Sequence, residues 1–151
     1  MILPAQELDR IRPLGPWYPR TRHNGLTYGL GPAGYDIRCA ETITLHGGDF
    51  CLASSMEWFN MPLDLLAHVC DKSTWARRGL FVQNTIIEPG WRGYLTLELT
   101  YHGGSSIEIY SGDPIAQIVF HRLSAPTERP YNGKYQDQPS GPVRALPIGE
   151  K

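Results

Sequence analysis

The chain has 151 residues, 41% of them hydrophobic and 19% charged, enough to bury one core but not comfortably two. A formal net charge of −1 gives no general attraction to a polyanion, which argues against a nucleic-acid or membrane-surface role. Three cysteines without CxxC spacing, Cys39, Cys51 and Cys70, indicate neither a zinc site nor a disulfide framework and suit a reducing cytosol.

Sixteen glycines and thirteen prolines, spread along the chain, argue against long helices and for short strands joined by tight turns. The first element is a short helix in PAQELDRI, where a proline precedes the amphipathic spacing of Leu8 and Ile11. Residues 13–32 mix Pro, Gly, Arg and aromatics without periodicity and read as an irregular arm. YDIRCAETITL alternates as one strand, GGD turns, and FCLASSMEWFNMP and LLAHVCDKS follow as strands broken at Pro62. STWARR reads as a turn. GLFVQNTIIEPGW supplies a strand and a turn at Pro89 and Gly90, GYLTLELTYHG is the clearest alternating strand, and SSIEIYSGDPIAQIVFHRL gives two more. The tail, 124–151, is rich in Pro and Gly without a core pattern, so it must stay free or fold over something. Strands at this density make a sandwich or barrel of jelly-roll type, read as a single domain over 1–151. No apolar run approaches the roughly 18 residues of a membrane span and no signal peptide is recognised, so a soluble, cytoplasmic protein is expected.

Positive charge is unevenly placed. No Lys or Arg occurs from Cys39 to Asp71, whereas Lys72, Arg77, Arg78, Arg92, Arg122, Arg129, Lys134 and Arg144 follow. KSTWARR packs two hydroxyls, a lysine and two arginines into seven residues, a composition that can grip a phosphate. In GYLTLELTY, Leu95, Leu97 and Leu99 share one face, while Tyr94, Thr96, Glu98 and Thr100 share the other. Glu98 on that face is either a solvated glutamate or a carboxylate facing a cavity or subunit interface, where burial would raise its pKa toward use as a general base. The five histidines, at 23, 46, 68, 102 and 121, lack metal-ligand spacing.

These motifs carry a family resemblance. KSTWARRGL, EPGWRGYLTLEL, SGDPIAQIVF and the tail RPYNGKYQDQ with its following GP resemble, in order and spacing, the dCTP deaminases of the trimeric dUTPase superfamily. GYDIR also looks like an early strand of that family. The resemblance implies an all-β, distorted jelly-roll barrel of dUTPase-like type with one short N-terminal helix. It further implies a homotrimer with active sites shared between subunits, and zinc-independent hydrolysis of dCTP to dUTP and ammonia. By the same resemblance, Glu98 is the general base and proton shuttle, and the phosphate motif falls on Lys72, Ser73, Thr74, Ala76 and Arg77. Glu88 contacts the sugar, strand atoms of Thr96 and Leu97 line the base site, and Tyr131, Lys134 and Gln138 make phosphate contacts from a lid tail. Magnesium would bridge phosphate oxygens rather than sit in a protein cage.

The chemistry agrees with this assignment, because cytosine C4 is a weak electrophile that needs an activated water and a proton donor for the departing amine. Zinc deaminases use H-x-E with P-C-x-x-C to make a metal hydroxide, and neither string occurs here. Two departures fall near the pocket. Glu88 stands where the family commonly has Asp, and the stretch from Arg77 to Glu88 looks shorter than usual, so base specificity rests on the weakest part of the match. Asn84 and Gln83, in that stretch, carry amides that could read a pyrimidine edge or satisfy turn backbone. A shortened, phage-encoded relative would fit. The sister reading is a dUTP diphosphatase or a bifunctional enzyme, with Glu88 activating water; deamination of a dCMP-level or modified cytosine nucleotide is another. A non-catalytic nucleotide sensor, docking a protein through the aromatic and basic 13–32 segment, is the alternative from a different class.

Overall fold

The computed structural model describes residues 1–149. The chain opens on helix α1 (Ala5–Ile11), whose Leu8 is fully buried, and Arg12 ends it in a left-handed conformation. Strands β1 (Leu14–Gly15), β2 (Thr21–His23), β3 (Leu26–Gly31), β4 (Gly34–Arg38), β5 (Ile43–His46), β6 (Phe50–Asn60) and β7 (Leu65–Asp71) follow. A single helical turn, α2 (Ser73–Ala76), lies where STWARR read as a turn. Then come β8 (Leu80–Val82), β9 (Ile86–Ile87), β10 (Arg92–Tyr101), β11 (Ser106–Ile109) and β12 (Pro114–Arg122). They form three antiparallel sheets in the orders β1-β6-β10-β8, β2-β3-β4-β12-β7-β9 and β11-β5. One buried cluster takes side chains from both larger sheets, including Tyr35, Ile37, Phe59, Leu97, Leu99, Ile118 and Phe120. Among the described residues no helix is long and apolar enough to cross a membrane.

Two expectations are corrected. Residues 13–32 are not an irregular arm: they carry β1 and the β2–β3 hairpin, and β3 pairs with β4. The hairpin turns on Asn24 and Gly25, both at positive φ (49° and 77°), the Asn-Gly signal for a tight two-residue turn. Its order is completed by Arg38, whose guanidinium lies over the rings of Tyr18 and Tyr28 at 4.8 and 4.7 Å. Arg38 also donates from Nε to the fully buried Glu57, at 2.8 Å, joining the hairpin to β4 and β6. Burial pushes the Glu57 carboxyl up, and Arg38 opposes that push.

YDIRCAETITL is likewise two strands in different sheets, β4 and β5, rather than one. The break at residues 39–42 is held from β6: Ala40 N–H donates to Ser54 O, and Ser54 N–H and Oγ donate to the Glu41 carboxylate at 2.7 and 2.5 Å.

The β6–β10 ladder positions the site. Its register jumps between Tyr94↔Trp58 and Thr96↔Ser54, so β6 carries the extra residues of a bulge opposite Leu95. Ser55 Oγ accepts the Leu95 N–H at 2.9 Å in place of a ladder bond. Leu97 and Leu99 are fully buried as the alternation requires, each stabilising the fold by roughly 2 kcal/mol. Leu95, expected on the same face, is half-buried beside the cavity described next. A core anchored by Leu97 and Leu99 leaves Thr96 and Glu98 on the opposite face.

Candidate active site

A cavity of about 920 Å³ lies over the outer face of β6 and β10, walled by residues 84–88 on one side and by the tail on the other. Phe50 and Leu52 of β6 supply apolar surface, and Thr96 and Glu98 are the polar side chains that β10 adds. Glu98 is half-buried, and burial alone pushes its carboxyl above the usual carboxylate range. It makes no ion pair among the described residues. An unpaired carboxylate on a cavity with apolar surface can accept a proton from a bound water and return it.

The tail reaches this cavity by adding a short parallel bridge to β10, Gly93↔Gln138, and Tyr94 N–H donates to Gln138 O at 3.1 Å. Glycine at 93 permits the approach: its φ is 141°, and a Cβ there would sit 2.6 Å from the Gln138 nitrogen. Thr96 Oγ1 donates to Gln138 Oε1 and accepts the Val143 N–H, at 3.2 and 3.0 Å. Trp91 Nε1 donates to Tyr135 O at 2.7 Å, and Arg92 pairs with Asp137, whose carboxyl is lowered from its ordinary value by the hydrogen bond from that guanidinium. Trp91 thus serves packing and the tail at once.

Six of the candidate site residues singled out in the sequence therefore share one cavity: Asn84, Glu88, Thr96, Glu98, Tyr131 and Gln138. Leu97 lies in the core, leaving main-chain atoms as its contribution. Lys134 is exposed outside the lining, over the Tyr135 ring and donating to Leu146 O at 3.4 Å. Lys72, Ser73 and Thr74 open on a separate polar cavity of about 260 Å³, with Arg20, Asp36, Asp71 and Gln117. There Lys72 Nζ lies 2.7 Å from Asp36 Oδ2. Ala76 is half-buried and Arg77 exposed on the same turn. Sequence reasoning missed Phe50, Leu52, Val69, Tyr135 and Val143, all lining the cavity. Arg144 is its one cation among the lining residues. The signal for the β6 residues was weak because FCLASSMEW does not alternate cleanly around its bulge. No group of three or more His, Cys, Asp or Glu side chains that could hold a metal occurs among the described residues.

Residues 35–123, which include all but the first residue of β4, the α2 turn and the Glu98 strand, match the family model for dCTP deaminase-like proteins. The chain belongs to that family. It is 33% identical to a dCTP deaminase of Albidiferax ferrireducens, with 89% of each chain covered. That alignment runs to 169 positions, more than this chain's 151 residues, so the relative carries segments that are missing here. A dCTP deaminase of Staphylothermus marinus is 38% identical over 71% of this chain and 63% of its own length. Among solved structures, the 2′-deoxycytidine 5′-triphosphate deaminase of Agrobacterium tumefaciens superposes with a TM-score of 0.63 at 19% identity, covering 80% of this chain and 47% of that one. The native EIAV dUTPase superposes at 0.57 with 21% identity, over 76% and 91% of the two chains. These superpositions identify the fold as the dUTPase-like, distorted jelly-roll barrel.

Proposed function

We infer that the protein hydrolyses dCTP to dUTP and ammonia, with Glu98 as general base and then proton donor. The observation that carries this reading is the half-buried, unpaired Glu98 on the cavity face of β10, in a chain of the dCTP deaminase-like family. Glu98 takes a proton from water as the oxygen attacks C4, and delivers it to N3. The hydroxyl proton of the resulting adduct then passes through Glu98 to the amine, the C4–N4 bond breaks, and ammonia leaves. Both protons of the water are thus accounted for, one on N3 of the uracil and one on ammonia.

Tyr131 and Gln138 would close over the nucleotide from the tail, with Lys134 joining them once the tail moves, and Glu88 would hold the sugar. Lys72, Ser73, Thr74, Ala76 and Arg77 would take the triphosphate, with magnesium carried on its oxygens. Because Lys72, Ser73 and Thr74 open on a different cavity from Glu98, and Ala76 and Arg77 line neither, a site using both halves needs a second copy of the chain. A homotrimer with shared sites meets that need. It would also cover the exposed Phe50, Met56, Trp58 and Phe81 of the β6–β10–β8 sheet.

Glu88 faces the same cavity and favours a second reading, cleavage of dUTP to dUMP and pyrophosphate. Chromatography of reactions with dCTP or dUTP and Mg²⁺ separates the two. Formation of dUTP from dCTP, lost in Glu98→Gln, supports the deaminase; dUMP from dUTP alone transfers the chemistry to Glu88 and overturns it.

A further inference from the structure

Asn84 does not behave as an ordinary loop residue. The β8–β10 ladder stops at the Val82↔Leu99 pair, and the last main-chain bond on that edge runs from Gln83 N–H to Glu98 O, at 2.9 Å. Residues 84–88 then leave the sheet and become a wall of the cavity. Their departure would strand the Glu98 N–H and the Thr96 carbonyl beside a cavity, and an unsatisfied main-chain group away from bulk water is costly. The Asn84 side chain supplies both partners: Glu98 N–H donates to Oδ1 at 2.9 Å, and Nδ2 donates to Thr96 O at 2.7 Å. A primary amide holds an acceptor and a donor in one rigid plane, so it can stand in for the peptide group that the strand has withdrawn.

We propose that Asn84 is a positioning residue for Glu98: its amide fixes the peptide groups on either side of Leu97, and with them the direction in which the Glu98 side chain enters the cavity. The same amide lets the 84–88 segment leave the sheet without opening the β10 edge to water. Other side chains do this less well. Aspartate keeps the acceptor, sets an oxygen against Thr96 O and adds a charge near Glu98; glutamine reaches one methylene too far; alanine supplies neither bond. The inference rests on the reading of Glu98 as the general base, and the experiment separates the two.

The test is dCTP turnover against pH, with thermal unfolding, for Asn84→Ala, Asn84→Gln, Asn84→Asp and Glu98→Gln. Asn84→Ala should lower kcat by about tenfold to a hundredfold through misplacement of the base, with KM little changed and Tm lower by only a few degrees for the two lost bonds, and Asn84→Gln should recover part of the kcat loss. In Asn84→Asp the acid limb of the kcat profile should move to higher pH, because a second negative charge disfavours ionisation of Glu98. The other ionisable groups on the cavity, Glu88, Cys51, Tyr131, Tyr135 and Arg144, are the same in every variant. Wild-type kcat in Asn84→Ala beside an inactive Glu98→Gln overturns this inference alone. A loss of activity in Asn84→Ala no larger than the fraction of enzyme unfolded at the assay temperature, with the Asn84→Asp limb unmoved, marks a purely structural amide and overturns it too. If Asn84→Ala does not fold, Asn84→Asp decides, and a profile superimposable on wild type is the negative result. Full activity in Glu98→Gln would instead bring down the functional reading beneath it.

Discussion

The two halves of the motif set are built differently. Around Glu98, one chain is enough: β10, the Asn84 amide and the tail are held together by hydrogen bonds from Thr96, Tyr94, Trp91 and Glu98 itself. Around Lys72–Arg77 the groups are absent from the lining of that cavity, with Lys72 already neutralised by Asp36 and Arg77 exposed. On the proposed function, the difference reads as a chain that pre-orders the chemistry of the base and leaves the anion grip open to a partner. Such a division suits a reaction whose reacting centre needs a dry, fixed carboxylate, while a triphosphate needs only charge at the right place.

The sharpest test of that contrast is Glu98→Gln, which should cut kcat by roughly a thousandfold or more while dCTP still binds. Loss of nucleotide affinity with kcat spared would mean that Glu98 binds rather than reacts. Next comes complementation. Glu98→Gln and Arg77→Ala should each be inactive alone, yet random co-assembly should restore about a quarter of wild-type activity if one subunit supplies Glu98 and another Arg77. No recovery in demonstrably mixed oligomers would place both halves in one chain.

Smaller effects are expected at the tail. A Cβ at Gly93 collides with the Gln138 main chain, so Gly93→Ala should raise KM for dCTP about tenfold and expose the tail to protease. Arg92→Ala removes only an exposed ion pair with Asp137, so its effect on KM should be a few-fold at low salt and vanish at high salt. If Arg92→Ala proved the more damaging of the two, charge rather than the Gly93↔Gln138 bridge would be what seats the tail.

The part of this arrangement that could be read in the sequence was the part with a period. Leucines at 97 and 99 and acid at 98 set the face of β10, and the barrel followed from the spacing of strands and turns. Motif order carried the family. What failed were places where side chains override the pattern. The 13–32 hairpin depends on Arg38 lying over Tyr18 and Tyr28, and on Glu57 far along the chain, although its Asn24-Gly25 turn was visible. Leu95 left its row because Ser55 inserts a bulge from another strand, and no local pattern in GYLTLELTY encodes that. The tail had no periodicity to read, since it is held by scattered main-chain bonds, side-chain hydrogen bonds from Thr96 and Trp91, the Arg92–Asp137 pair and one glycine rather than by a repeating apolar face.

The smallest predicted effect concerns stability, and it tests whether Glu98 is as desolvated as its role requires. Burial disfavours the charged form, so the folded-state pKa lies above the ordinary value of 4.5. Between those two values the folded chain binds more protons than the unfolded chain, so this group makes stability fall as pH rises through the window. Above the window the ionised carboxylate is a standing cost. Glu98→Gln removes it, so the inactive variant should melt slightly above wild type at pH 7, and the gap should close as pH falls below 4.5. Glu57, whose carboxyl is also pushed up by burial, is present in both proteins and cancels in the comparison. The same shift places the acid limb of kcat above the ordinary carboxylate range, with activity rising as Glu98 loses its proton. Melting curves that superimpose at every pH would show a solvated Glu98 and remove the electrostatic basis for its use as a base.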